Sequence, residues 1–100
     1  MATTTVALAR TAAATTTTTL YTVPASTVTV VTNIAVTNTA GSGATFTITL
    51  DGKDLISGAA IAANTTALFD LKQVLATTKI IAGFASATTV NFHISGVEIA

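Results

Sequence analysis

From Thr27 to Leu50 the chain reads TVTVVTNIAVTNTAGSGATFTITL, with apolar and polar side chains alternating at period two over most of its length. β-Branched residues dominate the stretch, and their stiff χ1 angles suit a pleated sheet better than a helix. In its first half Val28, Val30, Ile34 and Val36 fall on even positions and Thr29, Asn33 and Thr37 on odd ones, which predicts a strand with its even face on a core. Val31 and Thr32 interrupt that register. Either a small bulge lies there or Thr32 sits inside with its hydroxyl bonded. Ala40-Gly41-Ser42-Gly43 tolerates the backbone of a tight reversal, and beyond it Phe46, Ile48 and Leu50 alternate against Thr45, Thr47 and Thr49. Two alternating strands joined by a glycine-rich turn predict a hairpin.

The same period continues outward in both directions. Asp51-Gly52 is a second turn signal, and residues 53–61 read as a short strand or irregular edge offering Leu55 and Ile56 to the core. Ala62-Ala63-Asn64 reverses the chain, after which Ala67, Phe69 and Leu71 alternate against Leu68 and Asp70, and residues 73–76 suggest one helical turn. Ile80, Ala82 and Phe84 share a face, as do Val90, Phe92 and Ile94. A bulge at Gly96 would carry the register on to Val97 and Ile99. Upstream, residues 19–23 form a strand stopped by Pro24, which has no N–H to give a ladder. Seven or eight short strands with turn residues between them predict an all-β antiparallel sandwich, Ig-like or jelly-roll-like. The organisation expected is an N-terminal arm or first strand over 1–18 and a sandwich domain over 19–100. The arm is almost wholly Ala and Thr, with Val6 and Leu8 its large aliphatics, so by itself it buries little and reads either as a frayed tail or as an extended arm that becomes a strand against the body or a neighbouring subunit.

Composition excludes several kinds of function. Only 8% of the 100 residues are charged, against about 25% in ordinary soluble domains, and the formal net charge is zero. Solubility rests instead on neutral groups, including 24 Thr hydroxyls. Arg10, Lys53, Lys72 and Lys79 are too few and too scattered to neutralise a run of phosphates, so nucleic acid is not an expected partner. The longest apolar runs, residues 58–63 and 80–85, fall far short of the roughly 20 that a spanning helix needs, and no membrane partner is expected. Residues 1–20 lack the continuous apolar stretch of a secretory signal. Cysteine is absent, which removes disulfides and thiolate chemistry.

No catalytic, cofactor or metal site emerges. His93 alternates away from Phe92 and Ile94, toward solvent or a partner. Ser57, Ser86 or Ser95 would need that histidine and an acid such as Asp51, Asp54 or Asp70 to make a nucleophile, yet none lies in an activating strand-to-helix elbow. One His with scattered carboxylates does not make a zinc site, and Asp51 with Asp54 lacks the alternating acids of a calcium loop. Gly41-Ser42-Gly43 is followed by a strand rather than by Lys-Ser/Thr and a helix, so it reads as a turn. Asn64-Thr65-Thr66 matches a glycosylation acceptor, which matters only on a secretory route that residues 1–20 do not lead one to expect. Asp70 and Lys72 read as an exposed ion pair worth at most about 1 kcal/mol. What remains is a neutral surface whose strands lack the lysines and prolines that normally keep sheet edges apart, and such edges call for cover by other subunits.

At Leu20-Tyr21-Thr22-Val23-Pro24-Ala25, at Val36-Thr37-Asn38-Thr39 and at Ile94-Ser95-Gly96-Val97-Glu98 the chain resembles small structural proteins encoded among the head and tail genes of tailed bacteriophages. The resemblance runs from about Thr15 to the end, rests on packing and turn patterns, and marks no functional residues. It implies a β-sandwich that decorates a virion: a capsid decoration or cement protein on the capsid surface, bound to the major capsid protein, self-associated as a homotrimer and not an enzyme. The rival it leaves open is a tail, neck or fibre component. A small enzyme, dependent on His93, is the third and least expected reading.

Overall fold

A computed structural model describes residues 3–100 and contains eight strands: β1 (Thr3–Ala12), β2 (Thr18–Thr22), β3 (Val28–Asn38), β4 (Ala44–Leu50), β5 (Lys53–Ile61), β6 (Thr65–Leu75), β7 (Ile80–Ala85) and β8 (Val90–Ile99). They form two four-stranded sheets, ordered β1-β8-β3-β6 and β2-β7-β4-β5, with every pairing antiparallel. First pairs with last: β1 with β8, β2 with β7, β3 with β6 and β4 with β5. The chain is thus one long antiparallel ribbon folded in half at Asp51-Gly52 and rolled, with the β3–β8 and β4–β7 pairings closing the roll. Eight strands in this nested order make a jelly roll, one of the two sandwich forms the alternation predicts. The fold point is a two-residue loop between the paired Leu50 and Lys53, with positive φ at both Asp51 (53°) and Gly52 (74°), as a type I′ turn demands.

Several local expectations are corrected by this topology. Residues 27–50 are not a hairpin, because β3 lies in one sheet and β4 in the other, and residues 39–43 carry the chain across the core. Alternation reports that each strand has one buried face, which is equally true of strands side by side and of strands facing each other. The glycines there do not adopt positive φ; Gly52 and Gly58 do. In β3 a bulge falls at Thr32, between the Val31 and Asn33 pairings, and flips the inward set from odd to even positions. Thr29 and Val31 are therefore buried ahead of it and Ile34 and Val36 behind it, while Val28 and Val30 face outward. Thr32 itself donates its hydroxyl to the Ser95 carbonyl at 3.4 Å.

The bulge expected at Gly96 is absent from β8, whose alternation runs unbroken so that Glu98 points inward and Val97 and Ile99 outward. The extra residues lie instead in its two neighbours, at Leu8 in β1 and Thr32 in β3. Gly96 is what lets them close in: an added Cβ would overlap the Val30 carbonyl oxygen and come within 2.9 Å of Leu8 Cδ1. No helical turn follows residue 72, since β6 continues to Leu75, where pairing with Thr29 buries the leucine. In β7 the Ile80–Ala82–Phe84 set lies on the outer face, opposite Thr49 and Thr47, and Ile81 and Ala85 join the core.

The core is a layer of aliphatic side chains around Phe46, which meets Phe92 and Phe69 edge to face at centroid distances of 6.2 and 6.1 Å. Residues 3–12 of the Ala/Thr-rich N-terminal segment lie in the sheet as β1, anchored by buried Leu8 and, just beyond, Ala13. Met1 and Ala2 lie outside the described residues.

Candidate functional site

Strand register sets the side chains on the outer face of the β1-β8-β3-β6 sheet in rows that cross all four strands, apart from Thr32 and Lys72 at the register shift. One row runs Leu68, Ala35, His93, Arg10; the next Asp70, Asn33, Ser95, Ala7; a third Val74, Val30, Val97, Thr5. Beside the polar and charged Arg10, His93 and Asp70, the face exposes two large apolar side chains most fully, Leu68 and Val74 at 71% and 69%. Both stand on β6, an edge strand with no neighbour on one side. Sequence alternation places Leu68 outward; it misses Val74, which it assigns to a helical turn.

The residues weighed for chemistry are distributed as follows. His93, Ser95 and Asp70 share this face, but Asn33 stands between Ser95 and Asp70 and donates its amide to Asp70 Oδ1 at 3.3 Å. His93 is exposed and has no hydrogen bond to either among the described residues. Ser86 Oγ accepts the Thr45 backbone N–H at 3.0 Å, a structural contact. Asp51 pairs with Lys79 at 3.6 Å, both ends being about half exposed, and Asp70 and Lys72 form no ion pair among the described residues. No three His, Cys, Asp or Glu side chains converge among the described residues. A cleft of about 320 Å³ between β1 and β2 presents Arg10, Thr11 and Thr19 beside Ala9, Ala14 and Leu20, with no acid or base able to act on a bound molecule.

Two polar clusters fix the ends of the sandwich and thereby set the shape of its edges. At one end Asn38, fully buried, donates Nδ2 to the carbonyls of Ser42 at 2.8 Å, Ile61 at 3.4 Å and Ala62 at 3.5 Å, while its Oδ1 accepts from Ala40 N at 3.1 Å and Thr89 Oγ1 at 3.4 Å. One amide thus ties together the β3–β4, β5–β6 and β7–β8 connections. At the other end Tyr21 of β2 crosses the core, donating to Glu98 Oε2 of β8 and sharing a 2.9 Å hydrogen bond with buried Thr29 of β3. Burial raises the Tyr21 phenol above its ordinary value of 10.0, the Glu98 carboxylate adds to the rise, and Thr29 opposes it. Two of the stretches that carry the sequence resemblance therefore meet in space, where Tyr21 holds Glu98, and the third, with Asn38, ties the loops at the opposite end.

The four free edges differ. β2 and β5 are guarded: β2 has five residues, a register shift and Pro24 behind it, while β5 has two shifts, Lys53, Asp54 and Gly58. β1 and β6 are ten and eleven residues long and contain neither Pro nor Gly. Charge on β1 is confined to Arg10, and on β6 to Asp70 and Lys72. Long, nearly neutral edges with unsatisfied backbone groups are templates for pairing with another chain.

No family model and no curated protein matches the chain. Among solved structures it is similar to two described as pentameric capsid proteins isolated from metagenomic phage sequences. For one the TM-score is 0.41 at 22% identity over 94% of this chain, and for the other 0.31 at 18% over 94%. The chain spans 59% and 60% of their respective lengths.

Proposed function

We propose that this chain is a structural protein of a tailed-phage virion, a capsid decoration or cement protein that sits on the capsid surface and binds the major capsid protein. The observation that carries the reading is the pair of long edges free of Pro and Gly, β1 and β6, beside the exposed Leu68 and Val74 on a surface with few charges. A standard interface covers about 800 Å² per partner, so two such contacts fit readily on a surface of 5159 Å². The sequence resemblance supports the same reading, because its packing motifs coincide with the Tyr21–Glu98 and Asn38 clusters that hold the edges in place. The work is mechanical: each contact adds buried area between shell subunits. Self-association as a homotrimer belongs to the proposal.

A tail, neck or fibre role is the second reading, and Phe84 favours it. That ring lies on the outer face of β7 beside Thr47, partly exposed, where a sugar ring can stack. The test mixes the purified protein with capsids of the phage that encodes it and measures occupancy by electron microscopy, for the wild type and for Leu68→Lys/Val74→Lys. Loading that the double variant loses while keeping its thermal transition supports decoration. Failure of the wild type to load any head, or its appearance on tails, overturns it.

A further inference from the structure

We propose that copies of this chain join head to tail through their free sheet edges, β1 of one copy pairing with β6 of the next in a closed ring; the inference rests on the assembly reading above. Directions agree, because β1 and β6 run antiparallel within one sheet, separated by β8 and β3. A neighbour rotated about an axis along the strands therefore presents an antiparallel β6 to β1, and the sheet continues without reversal. About one backbone hydrogen bond per residue along a ten-residue edge gives roughly ten, the complement of a standard interface.

Side chains are complementary where the rows meet. On the outer face β6 bears Leu68, Asp70, Lys72 and Val74, exposed because nothing flanks them, whereas β1 bears the small Thr5, Ala7 and Ala12 with Arg10 its one long side chain. Two β1 edges meeting about a two-fold axis would set small against small and leave both large side chains uncovered. A rotation that closes without translation carries each row onto itself. Leu68 of the next copy then lies opposite Arg10, Val74 opposite Thr5, and Asp70 opposite Ala7, diagonal to Arg10 and within reach of its guanidinium. Arg10 has no ion-pair partner among the described residues of its own copy.

The chain contains no cysteine, so introduced thiols report the contact cleanly. Within one copy positions 10 and 68 are three strand spacings apart, about 14 Å, beyond the reach of a disulfide. Arg10→Cys/Leu68→Cys, oxidised gently and run without reductant, is expected to give a ladder ending in a discrete top band, and Arg10→Cys mixed with Leu68→Cys a one-to-one dimer. Each single variant alone is expected to stay monomeric on the gel. Dimers from either single variant would mean a two-fold contact and overturn the ring. An oligomer by mass that does not cross-link overturns this interface and leaves self-association standing; a monomer by mass that still loads capsids overturns the ring and leaves the decoration reading standing. A monomer that loads nothing removes both.

Discussion

Replacing Asn38 by Asp tests whether one buried amide holds three connections. The substitution changes shape little and keeps the two acceptor contacts, from Ala40 N and Thr89 Oγ1. It removes the Nδ2 donors, leaving an oxygen against the carbonyls of Ser42, Ile61 and Ala62. Only the 2.8 Å contact to Ser42 is short enough to count as a full bond, so its loss with a carbonyl left unpaired costs about 1–3 kcal/mol. Charge adds to this. No cation faces the site among the described residues, so the new carboxyl has a folded pKa above its unfolded value of about 3.9. Below about pH 3.9 it is protonated in both states and its O–H can donate to Ser42. As pH rises from there the unfolded state gives up its proton first and stability falls. By pH 7 the charge-dependent loss reaches at most about 4 kcal/mol, roughly three pKa units at 1.36 kcal/mol each. Thermal and urea unfolding of wild type and variant at pH 4 and pH 7 checks both parts. A deficit under about 1 kcal/mol at pH 7, or one equal at the two pH values, would refute the assignment of Asn38 as a buried donor clamp.

Gly96→Ala drives a methyl into the Val30 carbonyl and Leu8; a loss of about 2–3 kcal/mol is expected from overpacking, read as a lower urea midpoint with unchanged slope. Gly52→Ala places a side chain at φ 74° in an open turn, and about 1 kcal/mol of destabilisation by thermal melt is expected from backbone strain alone. Tyr21→Phe removes a phenol whose folded pKa is raised, so the wild type's advantage is full below the ordinary phenol value of 10.0 and lost as pH climbs through the folded one. Melts from pH 8 to 11 are expected to show the wild type falling toward the variant above pH 10, the variant starting about 1 kcal/mol lower. His93→Ala, on an exposed outer face, is expected to stay within about 0.5 kcal/mol of wild type, and a larger change by urea titration would show a contact that the face does not display.

The sandwich was legible because alternation is a property of single strands: Phe46, Ile48 and Leu50 are buried as their spacing predicts, and the Asp51-Gly52 turn is a local signal that the backbone obeys. Partner choice was not legible. Nothing in residues 39–43 says whether they join neighbours in a sheet or cross between sheets, since what decides it is the pairing of β3 with β6 and β8 and of β4 with β5 and β7, most of it between residues distant in sequence. The bulge at Thr32 falls where the broken alternation offers one, whereas the bulge expected at Gly96 is displaced for a related reason. The irregular spacing at Gly96 belongs to a regular strand with an inward Glu98, and that carboxylate is made tolerable by Tyr21, 77 residues away. Of the candidate surface, Leu68 was visible from its own strand, but its significance lies in β6 being an edge, and edges exist only once topology is fixed.

Rolling a ribbon into two sheets always leaves four strands with one side unpaired. This chain spends its irregularities unevenly among them. Gly58 and two register shifts fall on β5, and Pro24 lies just past the short β2, in a sheet that presents Thr45, Thr47 and Thr49 outward, whereas β1 and β6 hold Arg10, Asp70 and Lys72 but neither Pro nor Gly. On the opposite sheet β1 and β6 stay long, and the shift in β1 at Leu8 lies across from Ser95 and Ile94 on its inner partner, where Gly96 absorbs the crowding. Guarding every edge would have needed only a lysine or two on β1. Their absence, in a chain whose net charge provides no repulsion between copies, is what the proposed lateral association builds on, since it would satisfy the edge backbone groups and cover Leu68 and Val74 together. Installing that guard with Thr5→Lys and Ala7→Lys on the outer face of β1 should therefore raise the free monomer fraction at high concentration without lowering the melting temperature of the monomer. A variant whose mass distribution matches wild type would show that the β1 edge lies open in the assembled state as well.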